Sequence, residues 1–276
     1  MSRNFRVLLP MAAAMLVPSQ AWAQDEPAPG AAPASTPADD AEKLAKDLAN
    51  PISSMISLPF QFNVDGGLGE SDGVKSTLNV QPVIPVRLGK DWNVIIRTIV
   101  PIIHQQDVVE PASSQFGLGD TTQSFFFSPK SGGIIGGVGP AFLYPTGTHR
   151  TLGGEKWGAG PTAIVLKQAG RNTIGLLANH IWSVAGDDSR SDISSTFIQP
   201  FVSHTTSTAM TISLASETTY DWKADQWTVP IILSGAQLTH IGKQPISVGA
   251  GLRYYVEKPE NGPEWGFRLI TTFLFK

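Results

Sequence analysis

Trp265-Gly-Phe-Arg-Leu-Ile-Thr-Thr-Phe-Leu-Phe275 alternates without a break. Trp265, Phe267, Leu269, Thr271, Phe273 and Phe275 fall on one side, and Gly266, Arg268, Ile270, Thr272 and Leu274 on the other. Successive side chains of a strand point to opposite faces, so one face here is aromatic and apolar while the other carries an arginine. A soluble domain can use such a strand once to cover its core. In this chain the pattern recurs upstream. Ile56, Leu58, Phe60, Phe62 and Val64 alternate with Ser57, Pro59, Gln61, Asn63 and Asp65. Leu78, Val80, Pro82, Ile84 and Val86 then alternate with Asn79, Gln81, Val83, Pro85 and Arg87.

Further runs lie near 91–104, 116–128, 132–144, 156–168, 172–185, 193–204, 207–221, 226–240 and 244–257, which with the last makes twelve. Each is close to the ~10 residues that a tilted strand needs to cross the hydrocarbon of a bilayer. The connections alternate between short turns (88–91, 128–133, 168–172, 204–207, 241–245) and mostly longer loops (65–73, 105–115, 145–155, 186–192, 222–225, 258–263). Short turns on one side and long loops on the other are the asymmetry of outer-membrane barrels. The sequence therefore predicts a transmembrane, antiparallel up-and-down β-barrel of about twelve strands over 54–276. A soluble sandwich or lipocalin-like barrel fits less well, because a lipocalin has eight strands. Mean hydropathy is only −0.01. That value suits a barrel, in which each lipid-facing residue is diluted by a lumen-facing neighbour.

The front of the chain predicts where it goes. Arg3 and Arg6, the apolar stretch Val7 to Val17 and Ala21-Trp22-Ala23 read as a secretory signal peptide over 1–23. Its loss would move the net charge from −3 to −5, which leaves no basic footprint for nucleic acid. Residues 24–40, rich in Ala, Pro and acid, predict a disordered tether. A short helix over 41–50 follows, with Leu44 and Leu48 on one face and Asn50-Pro51 at its end. It is too short to be stable alone, so it either docks at the barrel mouth or frays as a linker. The chain has no cysteine, hence no disulfide and no thiolate chemistry.

Two segments carry a family resemblance. Leu44-Ala-Lys-Asp-Leu-Ala-Asn-Pro-Ile-Ser-Ser-Met-Ile-Ser-Leu-Pro-Phe-Gln-Phe-Asn63, and Phe116-Gly-Leu-Gly-Asp120 with Phe125-Phe-Phe-Ser-Pro129, resemble a bacterial outer-membrane transporter family. It is the "MetA-pathway of phenol degradation" type, whose members are sometimes mislabelled neuromedin U. Gly139-Pro140 and Tyr144-Pro-Thr146 are also similar to it, and the likeness runs over 44–276. The resemblance implies a barrel in the outer membrane of a Gram-negative bacterium that moves small molecules, aromatic compounds among them. Lys276 after Phe275 departs from the aromatic terminus typical of barrels, which bears on recognition by the insertion machinery.

Charge assigns the faces of the strands. A charged side chain facing lipid at mid-membrane costs about 2–4 kcal/mol, so Arg97, Arg253, Arg268 and Glu217 are predicted to point inward, with Arg87 inside the periplasmic mouth. Gln61, Asn79 and Asn179 are inward polar candidates. Strands 4 and 8 resist assignment, since Asp120 and Gln123 have opposite parity and Gln199 shares a face with Phe197 and Phe201. Trp157, Trp182, Trp222, Trp227 and Trp265 sit at predicted outer strand ends, and Trp92, Phe273 and Phe275 at inner ends, as two interfacial girdles would.

An arginine-biased lumen favours anions, unless the arginines simply pair with Glu217, Glu257 and other lumen acids. The expected function is a channel or transporter for small solutes, anionic or aromatic organic compounds included, working by passive diffusion. The expected partners are membrane lipid, the solute and the barrel-assembly machinery, with no cofactor. Monomer and homo-oligomer are both compatible with the sequence. Two alternatives stay open. One is a barrel-type lipase built on an interfacial histidine, of which His180 beside Trp182 is the candidate, although it has no convincing serine partner. The other is a barrel plugged by its own N-terminal helix. No His or carboxylate set has metal-ligand spacing; Asp187-Asp188 with Asp192 reads better as a solvated loop.

Overall fold

A computed structural model describes residues 36–275 other than 111, 131 and 132. The predicted signal peptide and the tether up to residue 35 lie outside them. A helix, α1 (Pro37–Leu48), is followed by twelve strands. These are β1 (Ile56–Leu68), β2 (Gly73–Val80 continued by Val83–Leu88), β3 (Trp92–Gln106), β4 (Ser114–Leu118 continued by Thr121–Pro129), β5 (Ile135–Tyr144) and β6 (Lys156–Ala169). The second half comprises β7 (Asn172–Gly186), β8 (Ser194–Thr205), β9 (Met210–Ser216 continued by Thr218–Asp221), β10 (Gln226–Ile241), β11 (Gln244–Glu257) and β12 (Trp265–Phe275). Each strand pairs antiparallel with its sequence neighbours, and β12 returns to β1 in register from Ile56↔Phe275 to Gly66↔Trp265. The ring is closed, so no sheet edge is left unpaired.

Alternation decides what faces out. On β12, Trp265, Leu269 and Phe275 are exposed while Arg268 and Leu274 are buried. The same split runs round the barrel, with Val165, Leu176, Leu214, Leu233 and Leu252 on the exposed outer surface. Where the sequence left faces open, local irregularity supplies the reason. In β4 the register against β3 shifts by one residue between Leu118↔Ile102 and Thr122↔Ile99, a bulge at Gly119 and Asp120. Asp120 there accepts from the backbone N–H of Gly147 and Gly154 at 3.0 and 2.6 Å and pins the 145–155 loop. Gln123 lies beyond the bulge on the outer face, bonded to Thr98 and Tyr144. In β8 the glutamine and both phenylalanines all face the lumen, where Gln199 and Phe197 line one cavity and Gln199 and Phe201 another.

Two sequence expectations need correction. The first loop was expected over 65–73, but β1 continues to Leu68 and the connection is 69–72. Asp65 belongs to the strand because Arg253 and Tyr255 satisfy its carboxylate inside the barrel. The helix was expected over 41–50, and it runs from Pro37 to Leu48. Its start is a capping box: the Thr36 hydroxyl accepts from the Asp39 N–H while the Asp39 carboxylate accepts from Thr36, with proline in the first turn.

The helix docks in the barrel end that carries the short turns. Ala45 packs against Ala209, Leu238 and Leu274, flanked by Ala41, Leu44 and Leu48. Glu42 takes two hydrogen bonds from Arg171 in the β6–β7 turn, at 2.7 and 3.0 Å. After an Asn50-Pro51 bend, in which the Asn50 side chain accepts from the Ile52 N–H, Ile52 enters the lumen. Only 4% exposed, it is enclosed by Val83, Ile95, Phe126, Ile164, Leu166 and Leu177. Full burial of such a side chain is worth about 1.5–3 kcal/mol. Gly137 on β5 leaves room for it, since a Cβ there would sit 3.0 Å from Phe126 and 3.5 Å from Ile52.

Candidate functional site

Asp65, Arg253, Glu217 and Arg268 lie toward the loop ends of their strands, and Arg97 lies near mid-barrel. Arg268 reaches across from β12 to β9 and binds Glu217 through both guanidinium ends, at 2.8 and 2.7 Å, while its Nε donates to Asn63 at 2.7 Å. A two-pronged contact of this kind is the strong form of an ion pair, and it is half-buried, with Arg268 the more enclosed partner. Arg253 on β11 donates from one nitrogen to both oxygens of Asp65 on β1, each at 2.9 Å. The Tyr255 hydroxyl donates to the same carboxylate at 3.0 Å, and the Arg253 guanidinium carbon lies 5.3 Å from the Tyr255 ring centroid. Lys75 stands opposite Asp65 in the β1–β2 register.

Arg97 differs from the other two. Its NH2 donates to the Gln81 amide oxygen at 3.0 Å, and among the described residues no carboxylate lies within ion-pair distance of it. It lines two cavities at once. One, of about 350 Å³, opens toward the loops and is lined by Gln61, Asn79, Asn179, Ile99, Ile181 and Phe197. The other, of about 300 Å³, lies toward the turns and is walled by the C-terminal end of α1 and residues 49–51 and 53. Gln81, Arg97, Gln199, Glu217 and Arg268 border both.

The residues singled out in the sequence thus fall into two groups. Arg97, Arg268, Glu217, Gln61, Asn79 and Asn179 share the wall of the loop-side cavity. Arg253 stands apart beside Asp65, and Arg87 sits exposed at the turn end, opposite Asn93. Glu257 is no partner for a lumen arginine: it is exposed at the loop end, 3.5 Å from Gln226. Asp65 takes that role, and its parity with Gln61 and Asn63 was the available signal.

On the outer surface, Trp157, Trp182, Trp222, Trp227 and Trp265 are exposed near the loops and make edge or tilted contacts, Tyr144 with Trp157 and Tyr220 with Trp222 and Trp227. Trp92 and Phe275 are exposed at the turn end, and Phe273 packs edge-on against Phe60 at 5.9 Å.

His180 lies on that outer surface, 4.1 Å from the Trp182 ring, and it does have hydroxyl neighbours. Its Nδ1 is 2.7 Å from Thr196 Oγ1 and its Nε2 is 3.4 Å from Ser194 Oγ. The Thr196 oxygen also accepts from the Trp222 indole N–H at 2.8 Å, so the three side chains form one cluster on the outer face. In the acidic loop, Asp192 is engaged by Lys156 and Ser183, and no metal-binding group is found among the described residues.

No family model and no curated relative matches the chain, so the resemblance in 44–63 and 116–129 rests on those motifs alone. Solved structures do match. The COG4313 outer membrane channel from Pseudomonas putida F1 is 16% identical with a TM-score of 0.62, over 82% of this chain and 97% of that one. The low-pH structure of Pseudomonas putida OprB is 9% identical with a TM-score of 0.34, over 80% of this chain and 92% of that one. At such identities the first likeness shows the fold of an outer-membrane barrel, and the second adds no argument.

Proposed function

We propose that the protein is a channel of the Gram-negative outer membrane that passes small solutes by diffusion, with a preference for anions, organic acids included. One observation carries the reading: Arg97, with no carboxylate in direct contact among the described residues, stands between two cavities inside a closed barrel whose outer surface is apolar. The exposed aromatics at both ends would sit at the two membrane interfaces. The turn end with α1 would then face the periplasm. A barrel of this size suits small molecules and excludes macromolecules.

Pairing within the lumen shapes the expected selectivity. Arg253 and Arg268 are largely neutralised by Asp65 and Glu217, so the preference should be mild and centred on Arg97. The docked helix and the burial of Ile52 favour a path constricted at its turn end at rest. The test is single-channel current of the refolded mature protein in a planar bilayer under a salt gradient. Discrete openings whose reversal potential marks anion preference, reduced in Arg97→Gln and Arg268→Gln, support the reading. Cation preference, or selectivity unchanged in both variants, overturns the role given to the arginines.

A further inference from the structure

Resting on the channel reading, we propose that the loop-side cavity is a saturable binding site for one small organic monoanion, a carboxylate carrying an apolar body, with Arg97 as its anchor. A guanidinium does not give up its proton in a protein, so a charge placed inside the barrel must be answered by a counter-charge. For Arg268 and Arg253 the chain supplies it, as Glu217 and Asp65. For Arg97 the chain supplies no direct ion pair, since Glu217, already held by Arg268, acts on it only from a distance. Its NH2 donates to the Gln81 amide oxygen, and its other nitrogens make no side-chain hydrogen bond among the described residues. They border a cavity of about 350 Å³, at the small end of the sites that hold organic ligands.

The wall around Arg97 narrows the ligand class. The planar fork of an arginine matches the two oxygens of a carboxylate. Glu217 lines the same cavity, so a second negative charge on the ligand would meet a carboxylate held in place by Arg268. That limits the ligand to one charge. Ile99, Ile181 and Phe197 offer an apolar surface to its body. The amides of Gln61, Asn79 and Asn179 can each donate or accept and would tolerate a hydroxyl or carbonyl substituent. Inorganic phosphate has no apolar part, and its dianion adds a second charge.

Benzoate, its neutral counterpart benzamide and inorganic phosphate separate these cases on the refolded full barrel. Benzoate should reduce the chloride current along a saturating curve, whereas benzamide and phosphate at the same concentrations should not. Arg97→Gln should weaken that block at least about tenfold, as loss of a charged hydrogen-bonding anchor does, and Arg97→Lys should restore part of it. Heat-modifiable migration in detergent gels confirms that each variant has closed its barrel. A chloride current that benzoate reduces only linearly, or reduces equally in Arg97→Gln, overturns the site while leaving the channel. If no current is seen, calorimetric titration of the same preparation with benzoate decides. Saturable heat lost in Arg97→Gln supports the site and defeats the channel reading, and absence of heat defeats the site.

Discussion

The two halves of the lumen obey one alternation rule and use it to opposite ends. Along the inward face of β12, Arg268 lies toward the loops and Leu274 toward the turns, both buried. Near the loops the inward residues are charged or amide-bearing, they pair across the barrel, and space remains between them. Near the turns one part of the wall closes around Ile52 with aliphatic and aromatic side chains, and the rest carries small hydroxyl residues around the cavity beside α1. Parity therefore decides whether a residue faces in, and depth along the strand decides what facing in is for. A ring of twelve strands is too wide for its own side chains to fill throughout. This one is narrowed at one end by a segment of chain from outside the ring, and cavities remain on both sides of Arg97.

That contrast can be broken from either side. The largest effect is expected in the loop-side half from Glu217→Gln, which leaves Arg268 buried without its carboxylate. Loss of one partner of a buried pair costs about 3–5 kcal/mol, read as a lowered denaturant midpoint for the barrel refolded in lipid. A cost near that of a surface pair would mean that water already reaches Arg268. Ile52→Ala, in the turn-side half, should cost about 2–4 kcal/mol of packing, spent on undocking the N-terminal segment. Its readouts are faster hydrogen exchange in α1 and a larger single-channel conductance. Conductance unchanged in that variant, with exchange accelerated, would show that the solute path bypasses Ile52.

The smallest effect is expected at the rim. Hydrogen bonds from Arg171 hold the Glu42 carboxyl below its ordinary pKa of 4.5. A carboxylate whose folded pKa is depressed contributes stability that is full above its unfolded value and is lost as pH falls through the folded one. Helix docking should thus be insensitive to pH near neutrality and weaken in acid below the ordinary carboxylate range. Glu42→Gln should flatten that acid limb, and raised salt should mimic it, because the pair is solvent-exposed. An acid profile identical in Glu42→Gln would assign the sensitivity to another group.

Strand number and outward faces were legible in the sequence because the alternation has to persist wherever an apolar surface surrounds the ring. Three features were less so. Asp65 followed by Gly66-Gly67 looks like a turn, and what keeps it in β1 is an arginine 188 residues away in the chain. The β4 bulge shifts parity without leaving a mark in composition, although Asp120 directly after Gly119 hints at it. At the N-terminus the Thr36–Asp39 capping box was readable, but Ala- and Pro-rich surroundings favoured a tether. Of the candidate site, the inward arginines were readable from the cost of charge in lipid. Which of them would lack a carboxylate was not, since pairing across a barrel depends on tilt and stagger rather than on local spacing.

The docking of α1 also implies an order of events. Glu42 meets Arg171 and the Lys46 carbonyl accepts from Gln168, contacts spanning 129 and 122 residues. The pocket that receives Ala45 is made by the β8–β9 turn, β10 and β12, all synthesised after it. The first described element of the chain can therefore be seated only once the last strand has joined the first. Until then the interior is a wetted tube, and a protease on the turn side should find the stretch around Ile52 long after the strands resist cleavage. Seating of that segment would be the final step of maturation, reporting that the ring behind it has closed.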